Sequence, residues 1–143
     1  MTAIYVDSRE QKPLFDGDGV FVRALSVGDY TTPSLLGFAH AERKSPQDFY
    51  GSLVQGHVRF RNELLRAKEQ GVKLVVFVEC SESKFFGRRW PGAWFRRMGS
   101  GKLRKMISTM KDKYGLTICW CDGRGGAASE VVKWFGKMEA LHG

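Results

Sequence analysis

The sequence predicts an α/β fold, with a mixed central β-sheet flanked by α-helices. Three observations predict it. Short apolar runs of strand length are interspersed with stretches whose apolar residues recur every three or four positions. The run at 72–78 is almost continuously apolar, as expected for a strand buried on both faces. Gly, Pro and Ser punctuate the joins between these segments. A length of 143 residues, 43% of them hydrophobic, predicts one domain over 1–143 that can bury a real core.

The elements follow in order. Residues 3–7 read as a strand that runs into charge. Residues 11–19 hold Pro13, Gly17 and Gly19 and read as a loop, and 20–24 alternate as a second strand. The apolar run 25–27 reads as a strand end closed by Asp29. Residues 29–32 and 37–43 read as a hairpin around the turn at 33–37. Ser45-Pro46 opens a short helix over 45–53, with Ser as N-cap and Pro at the first helical position. Residues 57–70 place Val58, Leu64, Leu65 and Ala67 at near-helical spacing and stop at Gly71. After the strand at 72–78 comes a long loop, 81–100, carrying Phe85, Phe86, Trp90, Trp94 and Phe95 between arginine pairs. A helix at 102–114 shows Leu103, Met106, Ile107, Met110 and Tyr114 on one face. Residues 116–120 read as a strand and 122–126 as a glycine-rich turn. A final helix over 127–141 carries Val131, Trp134 or Phe135, and Met138 as its stripe.

Composition excludes several classes. No apolar run approaches the roughly 20 residues that span a bilayer, and no signal peptide is evident. The three cysteines form no C-x-x-C pair, which predicts reduced thiols in a cytoplasmic protein. The net charge is +8, and its distribution is uneven. Residues 1–79 hold ten Lys/Arg and ten Asp/Glu, whereas 84–113 hold ten basic residues and one acid, Asp112. Such clustering is the footprint of a polyanion partner, set against a merely solvated basic face. The aromatics of 81–100 fit two readings, stacking on unpaired bases or anchoring the loop.

The most informative stretch is 28–48: Gly28-Asp29, a gap, Glu42-Arg43-Lys44, then Asp48. Strand spacing puts Glu42 and Lys44 on one face and Arg43 on the other. If the preceding segment pairs with this strand, Asp29 lies beside Glu42. Two carboxylates and a carbonyl oxygen suit a hard cation such as Mg²⁺, and Lys44 can orient a water that attacks a phosphate. Asp48, at the start of its helix, can reach back to Lys44 or Arg9. His40 alternates with Glu42, but a plain strand histidine is the commoner case.

Val6-Asp7-Ser8-Arg9-Glu10, Val27-Gly28-Asp29-Tyr30 and Glu42-Arg43-Lys44-Ser45 through Asp48 together resemble the nuclease domain of XPF/Hef-type structure-specific endonucleases. The resemblance covers nearly the whole chain and fills every charged position of that family's G-D, E-R-K, D signature. It implies a restriction-endonuclease-like core and cleavage of DNA that depends on Mg²⁺ or Mn²⁺, at or near a junction of single and double strands. It implies metal ligation by Asp29, Glu42 and the Arg43 carbonyl, assistance by Lys44, and a site completed by Asp7, Arg9, Glu10 and Asp48. The phosphate grip is then expected from Arg59, Arg61, Arg88, Arg89, Arg96, Arg97, Lys102 and Lys105.

Family members usually continue into a tandem helix-hairpin-helix module that grips branched DNA. The expectation here is a stand-alone domain without it, of a size that suits a viral, plasmid or prokaryotic accessory gene. It is expected to pair as a homodimer through its C-terminal half, with the surplus aromatics of 84–98 at the interface. Two alternatives stay open: a non-catalytic DNA-binding or scaffold subunit, and a resolvase or mismatch-type nuclease on the same core. Subunits of the first kind have lost the site acids, which this chain keeps.

Overall fold

A computed structural model describes residues 3–142 and leaves the Phe95 side chain out. Strands β1 (Ile4–Val6), β2 (Val20–Val22), β3 (Tyr30–Thr31) and β4 (Ala39–Lys44) lead into helices α1 (Pro46–Val54) and α2 (His57–Glu69). Strand β5 (Lys73–Val78), a short helix α3 (Glu82–Phe86), helix α4 (Ser100–Tyr114), strand β6 (Ile118–Trp120) and helix α5 (Gly123–His142) complete the chain. The sheet order is β2-β1-β3-β4-β5-β6. The β1–β3 and β3–β4 pairs are antiparallel, and β1–β2, β4–β5 and β5–β6 are parallel, so the sheet is mixed as expected.

Period-two alternation sorts the core into two layers. Val76 and Val78 join Phe49, Leu53, Phe60, Leu64, Phe85, Leu103 and Ile107 under α1 to α4. Phe77, Ala39 and Ala41 face Val131, Phe135 and Met138 of α5 on the other side. Strand β4 thus places His40, Glu42 and Lys44 toward the first four helices and Arg43 toward α5.

Several expectations are corrected. Residues 25–27 are not a strand; Asp29 precedes β3 rather than closing an earlier strand. On α2, Phe60 rather than Val58 or Leu65 supplies the core contact: Phe60 is buried, whereas Val58 and Leu65 are among the exposed apolar side chains. The glycines at 123–126 are the first turn of α5, not a free-standing turn. The stretch 81–100 is no open loop. Ser81 caps α3 by accepting the Lys84 amide, and Phe85, Phe86 and Trp90 are packed into the core around Phe49 and Trp120. Packing against the sheet supplied a destination for these rings that local composition does not reveal. They are therefore available neither for base stacking nor for an interface, whereas Trp94 stands 75% exposed. No helix among the described residues is long and apolar enough to cross a membrane.

Candidate active site

The site is built on the turn into β3 and on β4. Gly28 has φ +77, and a Cβ there would lie 3.1 Å from the Ala41 carbonyl, His40 Cβ and Leu74 Cδ1. Only glycine fits both the left-handed backbone and the space. The next residue is thereby pressed against β4. The Asp29 amide donates to the Ala41 carbonyl at 2.8 Å, and its carboxylate Oδ2 accepts the Arg43 amide at 2.7 Å. His40 fixes the same turn from beneath. It is 1% exposed; its Nε2 accepts the Gly37 amide, so its Nδ1–H donates to the Val27 carbonyl. Burial holds its pKa down, in keeping with a neutral structural ring and not a ligand.

Asp29 and Glu42 form the acidic centre. Burial, then the nearby Glu10 charge, outweigh the Arg43 amide and push Asp29 up to about 7. Burial, then the charge of Asp29, push Glu42 well above the usual carboxylate range. Lys44 Nζ sits 3.5 Å from Glu42 Oε2 and 5.1 Å from the Phe60 ring centroid. Glu63 of α2 brings a third carboxyl group beside Glu42 and helps to raise its pKa, a residue that the sequence did not single out. Its only sequence cue is its place one turn after Phe60 on α2.

Among the described residues, no three histidine, cysteine or carboxylate side chains converge closely enough to cage a metal ion. The donor set nonetheless fits a hard divalent cation. Two buried carboxylates repel one another, Lys44 offsets only part of their charge, and oxygen is the ligand such ions prefer.

The other expected site residues have different engagements. Asp7 accepts the Leu25 amide at 2.7 Å and pairs with Arg9 Nε at 3.0 Å, and Arg9 in turn donates to the Leu25 carbonyl. Burial alone would raise the Asp7 pKa, but Arg9 and the Leu25 amide together hold it below its ordinary value. This pair fixes the chain before Gly28. Glu10 receives Arg43 Nε and Nη2, both at 3.0 Å, and the Tyr30 hydroxyl. Arg43 Nη1 donates to Glu79 at 2.9 Å, and Arg124 lies 3.5 Å from the other Glu79 oxygen. Glu79 was also missed, although an acid directly after an apolar buried strand is a readable cue. Asp48 is exposed; its amide caps onto Ser45 Oγ at 3.1 Å, and its carboxylate pairs with neither Lys44 nor Arg9.

Glu42, Lys44, Asp48 and Glu63 line an open cleft of about 1210 Å³, with Arg59, Arg66 and Arg96 also on its walls. The remaining basic residues expected to grip phosphates are spread elsewhere. Arg88 has φ 58 and donates to the Arg96 and Met98 carbonyls, so it holds its own loop. Arg61 lies over the Tyr114 ring and joins Lys102 and Lys105 around a separate apolar groove. Arg89 lines a second cleft, and Arg97 is exposed.

No family model matches the sequence, and no curated protein matches it. Solved structures do. XPF from Aeropyrum pernix superposes with a TM-score of 0.67 at 23% identity, over 93% of this chain and 64% of that one. XPF from Aeropyrum pernix in complex with DNA gives 0.68 at 21% identity, over 99% of this chain and 66% of the other. The chain thus spans just under two thirds of the length of these proteins. The chain carries the α/β, restriction-endonuclease-like fold seen in XPF.

Proposed function

We propose that this chain is a DNA endonuclease that needs Mg²⁺ or Mn²⁺ and cuts flapped, forked or otherwise branched DNA. The observation that carries the reading is the buried Asp29–Glu42 pair, with Lys44 3.5 Å from Glu42, where Glu42 and Lys44 line a cleft also walled by Arg59, Arg66 and Arg96. The likeness in fold to XPF, one structure of which is in complex with DNA, supports the choice of substrate.

Asp29, Glu42 and the Arg43 carbonyl would hold the cation. Once bound, it would supply Lewis-acid stabilisation of the charge that develops on the phosphoryl oxygens. The chain's own residues do the rest. The arginines of the cleft neutralise phosphates and set the strand in place. Lys44, pinned between Glu42 and the Phe60 face, holds the attacking water in line by hydrogen bonding and stabilises negative charge in the transition state. The Arg43 guanidinium points away from the reacting phosphate, where Glu10 and Glu79 lock the strand that carries Glu42 and Lys44.

The test is a panel of labelled single strand, duplex, flap, fork and four-way junction with Mg²⁺, Mn²⁺ or EDTA. Flap and fork should be cut with either metal and not in EDTA. Asp29→Asn and Glu42→Gln should bind DNA and leave it intact. Normal cutting by either variant removes the assignment. Wild-type protein that binds DNA yet cuts nothing would identify a non-catalytic binding subunit instead.

A further inference from the structure

A second cleft, of about 880 Å³, lies on the other side of the α1 N-terminus from the Glu42 cleft. Its position follows from topology. Strands β4, β5 and β6 are adjacent and parallel, and their ends are level: Lys44 pairs with Val78, and Val78 with Trp120. Beyond those carboxyl ends the chain turns into α1 and α5, whose first residues face the opening. A crevice at the carboxyl ends of parallel strands is where such sheets take ligands.

The lining gives that ligand a charge. Lys12, Lys84, Arg89 and Arg124 border the cleft. Among the described residues no acid lies within ion-pair distance of Lys12, Lys84 or Arg89. Arg124 clamps the wall, donating to the Lys12 and Pro13 carbonyls at 3.0 and 2.6 Å. Three acids oppose them. Glu79 is already neutralised by Arg43 and Arg124, and Asp48 and Asp122 are exposed at the rim. Backbone amides at the starts of α1 and α5 add positive partial charge. The floor offers no base platform: the Trp90 ring is buried against Phe85, and its Nε1–H is spent on the Phe85 carbonyl. The recognition chemistry is therefore that of a phosphate backbone, blind to sequence.

Arg43, Gln47 and Asp48 line both clefts, so the start of α1 stands between them as a divider. We propose that the second cleft holds the phosphates of an unpaired strand that leaves the duplex bound at the Asp29–Glu42 site. This rests on the nuclease reading given above. It makes α1 the point around which two strands part, and the second cleft the source of a preference for branched over plain duplex DNA.

The experiment measures binding without turnover, by fluorescence anisotropy in Ca²⁺, for a fork, a plain duplex and a single strand across a salt series. Wild-type protein should prefer the fork. The double variant Lys12→Ala/Lys84→Ala, its folding checked by its melting temperature, should lower fork affinity about tenfold. It should also reduce the salt slope for the fork by roughly 1.4, at about 0.7 per phosphate of a single strand. The fork-over-duplex ratio should fall toward one. An equal loss on fork and duplex, no loss at all, or a wild-type protein indifferent to the fork would each overturn the proposal. Cleavage in Mg²⁺ is scored separately. Loss of fork preference in a protein that never cuts supports the cleft and sinks the nuclease; cutting with fork preference intact in the variant does the reverse.

Discussion

The carboxylate of Asp29 accepts the backbone amide of Arg43 at 2.7 Å, which fixes the first acid of the site against the strand that carries the second. Among the described residues, that is the sole hydrogen bond to a carboxylate whose burial and neighbouring acids otherwise favour its protonated form. A buried carboxylate held this way is a burden to the fold when it is ionised.

The first prediction follows from that burden. The ordinary Asp29 pKa of 3.8 rises to about 7 in the folded protein. Between those values the folded state binds more protons than the unfolded one, so this residue's contribution falls as pH rises from 4 through 7. Asp7 and Glu10 act oppositely. Their folded pKa values are lowered, so their stabilisation is present above their unfolded values and lost as pH falls through the folded ones. Metal-free protein should therefore be most stable in mild acid. Asp29→Asn should raise its stability at pH 8 by upward of about 1 kcal/mol, given roughly 1.4 kcal/mol per pKa unit. Thermal melts of both proteins in EDTA from pH 4 to 8 check this. Parallel curves would remove the argument.

A second prediction concerns Lys44. Its side chain is 15% exposed and held between Glu42 and Phe60, too recessed to act as a general phosphate clamp. Lys44→Ala should slow cleavage about 10²-fold while changing DNA affinity little, because the group acts on the transition state. Single-turnover rates beside binding isotherms separate the two. Equal losses in rate and affinity would make it a phosphate contact.

Much of this was legible in the sequence, because strand alternation is a local rule. Alternation alone sends Glu42 and Lys44 one way and Arg43 the other, and Ser45-Pro46 marks the start of α1. What escaped was set by partners distant in the chain. Glu79 meets Arg43 from 36 residues away, and Glu63 meets Glu42 only once α2 packs on the sheet through Phe60. The rings of Phe85, Phe86 and Trp90 read equally well as surface until β6 brings Trp120 against the two phenylalanines and Trp90 stacks on Phe85. Basic residues misled for a related reason: Arg88 is adjacent in sequence to Arg89, yet it spends its guanidinium on its own loop.

Gly28 gives the third prediction. Alanine there would combine a left-handed φ of +77 with three contacts at 3.1 Å, one of them backbone. Gly28→Ala should cost about 1–3 kcal/mol and displace Asp29 from the Arg43 amide. Cleavage should drop more than the loss of folded protein accounts for. Chemical denaturation and activity measured on the same preparation decide it, and an active variant of normal stability would show that the turn relaxes.

Self-association is the fourth. With Phe85, Phe86 and Trp90 in the core, a homodimer through the C-terminal half is expected to use Trp94, which is 75% exposed, in place of those rings. Light scattering at micromolar concentration should then give twice the 16.2 kDa chain mass, and Trp94→Ser should return it to the monomer. A wild-type monomer that cuts DNA ends the proposal.

The last prediction separates support from chemistry. Arg43 is 11% exposed and joins two acids that are themselves 6% and 9% exposed, Glu10 through two hydrogen bonds and Glu79 through one. Arg43→Met removes the shared cation, leaving Glu10 buried without its ion-pair partner and Glu79 with Arg124 alone. Breaking a buried pair in this way costs about 3–5 kcal/mol, chiefly through the uncompensated charge. Arg43→Lys keeps the charge but cannot span Glu10 and Glu79 with a planar fork, so its loss should be intermediate. The decisive variant is Arg43→Met with Glu10→Gln and Glu79→Gln, which removes cation and anions together. If the cluster is a strut for β4, the triple variant should recover most of the lost stability and keep Asp29 on the residue-43 amide, so cleavage should return in part. Denaturation midpoints give the first readout and cleavage rates the second. A triple variant that is stable yet wholly inactive would mean that the Arg43 guanidinium reaches the substrate itself.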